Sequence, residues 1–132
     1  MRNVQETYPA NRQPAIRVVM MPRDTNALGT IFGGVILSHI DVAAAIEAYR
    51  SHAGRLVTVA MDQVVFRHPV FVGELVSFFA ETVRIGTTSV TVKVSVWAQR
   101  RTIPPEHVYV TEALVTMVAV DDQFKKVPIG KA

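Results

Sequence analysis

Two hydrophobic rhythms divide this chain. Over residues 34–52 the apolar positions surround a helical axis. Val35, Ile36, Leu37, Ile40, Val42, Ala43, Ala44, Ala45, Ile46, Ala48 and Tyr49 are interrupted only by Ser38, His39, Asp41 and Glu47. A helix that is apolar on nearly every side is buried on nearly every side. At 1.5 Å per residue it would span roughly 27 Å, the width of a small sheet. Gly54 stands where a helix stop belongs.

Elsewhere the pattern is that of strands. Residues 16–21 (IRVVMM) predict a short strand ended by Pro22, and residues 24–34 a loop carrying Gly29, Gly33 and Gly34. Residues 56–66 are rich in β-branched side chains and stop before Pro69. The run 75–85 (LVSFFAETVRI) ends at the turn glycine Gly86. Residues 88–99 alternate, with Val90, Val92, Val94 and Val96 on one face and Thr91, Lys93, Ser95 and Trp97 on the other. After a charged, proline-containing loop at 100–106, residues 107–120 close the series.

A short strand, a helix and four long strands predict an α+β fold: an antiparallel meander with one long helix, best covered if the sheet curls around it. The predicted boundaries are a flexible, polar arm at 1–14, one domain at 15–128 and a tail at 129–132. A short first strand leaves open sheet edges, and pairing with a second copy would hide them.

At 132 residues, 49% hydrophobic and 19% charged, the chain is expected to be one ordered globular domain. No apolar run reaches membrane-helix length and the N-terminus has no signal-peptide core, so a cytoplasmic location without membrane contact is the default expectation. Cysteine is absent, which excludes disulfides and thiolate metal sites. The net charge of +3 is too mild for a nucleic-acid footprint. It suits an anionic ligand, or ordinary solubility.

Asp41 is the residue that this pattern does not explain. It lies too deep in the helix to be an N-cap, and a carboxylate in apolar surroundings needs a partner. That partner is either structural, a loop amide or a second subunit, or chemical.

The segments MPRDTNALGTIFGGVILSHID, VTVAMDQVVFRHPVFVGELV, GTTSVTVKVSVW and VTEALVTMVAVD occur in this order along residues 17–128. Together they resemble the acyl-CoA thioesterases of the hotdog fold, in particular the bacterial short- and medium-chain acyl-CoA hydrolases. The resemblance implies a central helix wrapped by an antiparallel sheet, and dimers that assemble further, often into hexamers. It implies hydrolysis of acyl-CoA at the dimer interface with no metal and no cofactor, coenzyme A being part of the substrate. Asp41 matches the family's general base or nucleophile, and Asn26 an amide that orients water or thioester across the dimer. Gly33 and Gly34, at the helix N-terminus, suit the thioester oxyanion.

Each position also has a plainer reading. Asn26 can serve turn geometry, and the glycines helix entry. Thr87, Thr88 and Ser89 match a turn that borders the CoA channel, or form a simple hairpin. Arg84 belongs to a set of basic residues, with Arg55, Arg67, Lys93, Arg100, Arg101, Lys125 and Lys126, available for the CoA phosphates or simply solvated surface charges. Ala43 to Ala45 replace glycines common in relatives and lie near the expected acyl path. His39 points to a different side of the helix from Asp41 and is expected to be a packing or interface residue. Gly34 and Asp41 share a helix face but lie roughly 10 Å apart along the axis, so one of the two groups is expected to come from the neighbouring subunit. The alternatives are a non-catalytic acyl-CoA sensor of the same fold and, more weakly, a dehydratase.

Overall fold

A computed structural model describes residues 6–130. Residues 1–5 of the expected arm and 131–132 of the expected tail lie outside the described residues. The elements are β1 (Ile16–Val19), a 3-10 turn (Pro22–Asp24), α1 (Gly33–Ala48), β2 (Leu56–Asp62), β3 (Leu75–Ile85), β4 (Ser89–Gln99) and β5 (His107–Ala119). Among the described residues, no helix is long and apolar enough to cross a membrane.

The strands form one five-stranded antiparallel sheet in the order β1-β3-β4-β5-β2. The expected meander is therefore limited to β3, β4 and β5. The run expected at 56–66 ends at Asp62, where Gln63 takes a positive φ of 61°. Residues 63–74 then carry the chain from the β2 edge across to β3. Periodicity could not show this crossing, because β2 finds its partner in β5 rather than in the next strand along the chain.

The helix packs against a curled sheet. Ile36, Ile40, Ala43, Ala44 and Ala48 meet Val76 and Phe78 of β3, Val90, Val92, Val94 and Val96 of β4, and Ala113 and Val115 of β5. The alanines matter here: small side chains let the helix lie close to a valine-rich sheet. Each buried valine contributes about 1.5–3 kcal/mol relative to exposure. The helix is not buried all round, however. Val42, Ile46 and Tyr49 remain exposed along its outer side.

The opposite face of the sheet is covered by the N-terminal segment. Residues 6–14 carry no helix or strand, yet they dock on the sheet. Tyr8 stacks on His107 at 3.7 Å and meets Phe79 and Trp97 edge-on. Its hydroxyl accepts from Arg17, whose Nε donates to Ser77. The C-terminal segment also folds back: Val127 N–H donates to the Ala119 carbonyl, Ile129 N–H to that of Thr87, and Gly130 N–H to the buried His52 ring.

Candidate active site

Asp41 sits half-buried on the flank of α1 that faces β2. The Thr58 hydroxyl donates to Asp41 Oδ1 at 2.6 Å. A β-bulge follows directly, with Val59 as the extra residue between the Thr58 and Ala60 pairings. Bulges re-aim side chains next to functional sites. Among the described residues, Asp41 Oδ2 has no hydrogen-bond partner. Asp41 is thus held by one oxygen and open at the other. Thr58 was missed from the sequence, where it reads as an ordinary β-branched strand residue, and only β2 lying beside the helix gives it a role.

The N-terminus of α1 brings the second group. Gly33 and Gly34 are its first residues, so their N–H groups have no partner within the helix. The N-cap Phe32 offers no side-chain bond, and its ring covers Gly34. A Cβ on Gly34 would lie 2.7 Å from that ring. Beside Gly33 opens an apolar groove of about 290 Å³.

Asn26 is engaged in its own turn. Its Oδ1 accepts from the N–H groups of Leu28 and Thr30, and its Nδ2 donates to the Thr30 hydroxyl. One of the two Nδ2 hydrogens remains for a ligand. Within one chain the turn reading of Asn26 is satisfied, and any further role is that of a donor.

Arg84, Thr87, Thr88 and Ser89 lie far from Gly33, at the sheet end near the helix C-terminus. Arg84 is exposed near the end of β3. The hairpin closes by Gly86 N–H to the Ser89 carbonyl, and the carbonyls of Thr87 and Thr88 accept from Ile129 and Ala119. The structure therefore does not bring this turn to the glycines of the same chain. His39 stacks on Phe78 at 5.4 Å, and its Nδ1 donates to the Val35 carbonyl at 2.9 Å, a packing role. Ala43 and Ala44 are fully buried against the sheet. No group of three or more His, Asp or Glu able to hold a metal occurs among the described residues.

A second polar cluster occupies the other face of the sheet. The Tyr109 hydroxyl donates to Glu112, which also pairs with Lys93 at 3.7 Å. Burial and the adjacent Glu112 carboxylate push the Tyr109 phenol well above its ordinary range, so it stays protonated. Its hydrogen is committed to Glu112.

A five-stranded antiparallel sheet curled around one helix defines a hotdog fold. Comparison with known proteins narrows the class. The thioesterase superfamily model matches residues 28–104. The acyl-CoA thioester hydrolase YciA of Escherichia coli K12 is 42% identical over 112 residues, covering 83% of this chain and 85% of that protein. A hexameric hotdog fold thioesterase of Campylobacter jejuni is 46% identical, with a TM-score of 0.85 over 90% of this chain and 91% of that one. A hexameric thioesterase of Yersinia pestis is 38% identical, with a TM-score of 0.85 over 95% of this chain and all of its own (100%). The chain belongs to the thioesterase superfamily, and it is an enzyme of the thioester hydrolase type.

Proposed function

We propose that this chain hydrolyses acyl-CoA to a free carboxylic acid and CoA, with Asp41 as the acid that drives the reaction. The observation that carries this reading is the Asp41 carboxylate, held through Oδ1 by Thr58 and open at Oδ2. As general base, Oδ2 takes a proton from water while the water oxygen adds to the thioester carbonyl. The N–H groups of Gly33 and Gly34 stabilise the oxyanion that develops. Collapse breaks the carbon–sulfur bond, and the proton on Asp41 passes to the departing thiolate. In the nucleophilic variant the carboxylate attacks the thioester carbonyl and expels the CoA thiolate, water then cleaves the resulting anhydride to acid and free Asp41, and the proton released passes to the thiolate. The route draws on substrate, water, the Asp41 carboxylate and backbone N–H groups.

One chain does not serve one carbonyl from both groups. Asp41 and Gly34 are roughly 10 Å apart along the axis, and Asp41 faces β2, whose outer edge pairs with no strand among the described residues. A second copy across that edge would bring its own helix N-terminus to Asp41. Asn26, through its remaining N–H, then orients the thioester from the partner side. The named structural neighbours are hexameric, which supports a trimer of such dimers here.

The test is steady-state thiol release over a panel of acyl-CoAs by wild type and Asp41→Ala. The expected result is a fall in kcat of at least about 100-fold with the assembly intact. Near-wild-type turnover in the folded variant would remove Asp41 from the mechanism. Tight binding of every ester by wild type without thiol release would favour the sensor.

A further inference from the structure

We propose that the groove beside Gly33 receives the acyl chain of the substrate, and that Phe66 sets the longest chain it accepts. The proposal rests on the thioesterase reading, because it places the reacting carbonyl at the Gly33 and Gly34 N–H groups. An acyl chain leaving that carbonyl enters the groove directly.

The groove has the chemistry of a hydrocarbon site. Its walls are Ile31, Ile36, Phe66, Pro69 and Val70, and its charged neighbours are Arg67 and His68. Ile31, Ile36 and Val70 are 6%, 1% and 3% exposed, which makes them a fixed floor belonging to the core. Phe66 is different: it is 44% exposed and lies against Gly33, where an added Cβ would be 3.8 Å from its ring. It is the one large wall residue whose size can change without opening the core.

The wall is also rigid. The Val65 carbonyl accepts from Thr111, Arg67 N–H donates to the Val110 carbonyl at 2.8 Å, and Ile31 N–H donates to the Val70 carbonyl at 2.8 Å. Arg100 donates to the Pro69 carbonyl and pairs with the buried Glu74 at 2.6 Å. A groove pinned at four points keeps its length, and so discriminates by length.

The volume of about 290 Å³ lies at the lower end of the roughly 300–1,000 Å³ usual for small-molecule pockets. This commits the occupant to a short or medium straight chain. Each methylene that finds room should raise kcat/KM roughly three- to fourfold, and methylenes beyond the groove should add nothing.

The experiment measures kcat/KM for saturated acyl-CoAs of increasing length with wild type, Phe66→Ala and Phe66→Trp. The expected result is a rise to a plateau in wild type, a plateau at longer chains in F66A and at shorter chains in F66W. The position of the plateau is the readout, so a uniform loss of activity does not obscure it. An unchanged length profile in both variants overturns the proposal while leaving the thioesterase reading in place. Absence of thiol release by wild type from every ester overturns that reading itself.

Discussion

Thr58 and Asp41 are seventeen residues apart in sequence and 2.6 Å apart in space, hydroxyl to carboxylate. The bond joins the edge strand to the helix where the bulge at Val59 interrupts the β2–β5 register. The Thr58 hydroxyl therefore fixes one oxygen of the Asp41 carboxylate and leaves the other open.

Thr58→Val keeps the β-branched shape and removes the donor. A hydrogen bond to a charged group contributes about 1.5–3 kcal/mol, so kcat should fall roughly tenfold to a hundredfold. Thr58→Ser should recover most of it. Wild-type turnover in Thr58→Val, with the loss confined to Thr58→Ser, measured by thiol release, would show that the methyl packing mattered and the hydroxyl did not.

Gly34→Ala separates stability from catalysis. Alanine favours a helix by about 1 kcal/mol over glycine, and the Phe32 ring that the new methyl would meet is 56% exposed and free to swing aside. Denaturation should place the variant within about 1 kcal/mol of wild type. Activity should drop at least about tenfold, because the methyl and the displaced ring crowd the approach to the N–H groups. Retained turnover would argue against an oxyanion at this position.

A shared site predicts complementation. Asp41→Ala and Gly34→Val are each expected to be nearly inactive. If the acid and the N–H groups meet across a two-fold interface, mixed dimers contain one intact site. After unfolding and refolding together, an equal mixture should regain about a quarter of wild-type activity. No recovery in mixtures shown to contain hybrid dimers would place both groups in one chain.

Glu74 and Arg100 form a buried ion pair that ties the 63–74 crossing to the β4–β5 connection. Arg100→Met leaves Glu74 buried without its cation, and urea titration should show a loss of about 3 kcal/mol. A loss below the effect of an ordinary surface substitution would mean that the crossing is held by its backbone bonds alone.

Tyr8 covers Trp97, the single tryptophan, which is 5% exposed. Tyr8→Ala should shift tryptophan emission to the red and cost about 1 kcal/mol, with kcat unaffected because this face lies opposite the helix. An unchanged spectrum would show that Trp97 is shielded by something other than the arm.

Much of this molecule was legible in the chain. The strand at 75–85 matches β3 at both ends, β4 and β5 each match at one end and differ by one residue at the other, and the helix differs by one and four residues. Such elements are written in local periodicity, and each is long enough for the period to be read. The four motif segments pointed to the hotdog thioesterases, and the family match bears this out. Asp41 stood out for a reason that needs no structure: a carboxylate within an apolar helix demands an account.

What the tertiary structure decided is which residues meet. Sequence periodicity records the face of a side chain but not the neighbour of a strand. It could not place β2 beside β5, send 63–74 across the sheet, or bring Thr58 to Asp41. Nor could it reveal that the Asn26 oxygen is already occupied by its own turn, that Ala43 and Ala44 belong to the core, or that Phe66 walls a groove at Gly33. These relationships come from packing distant segments around one helix, and that packing exists only once the sheet has closed over it.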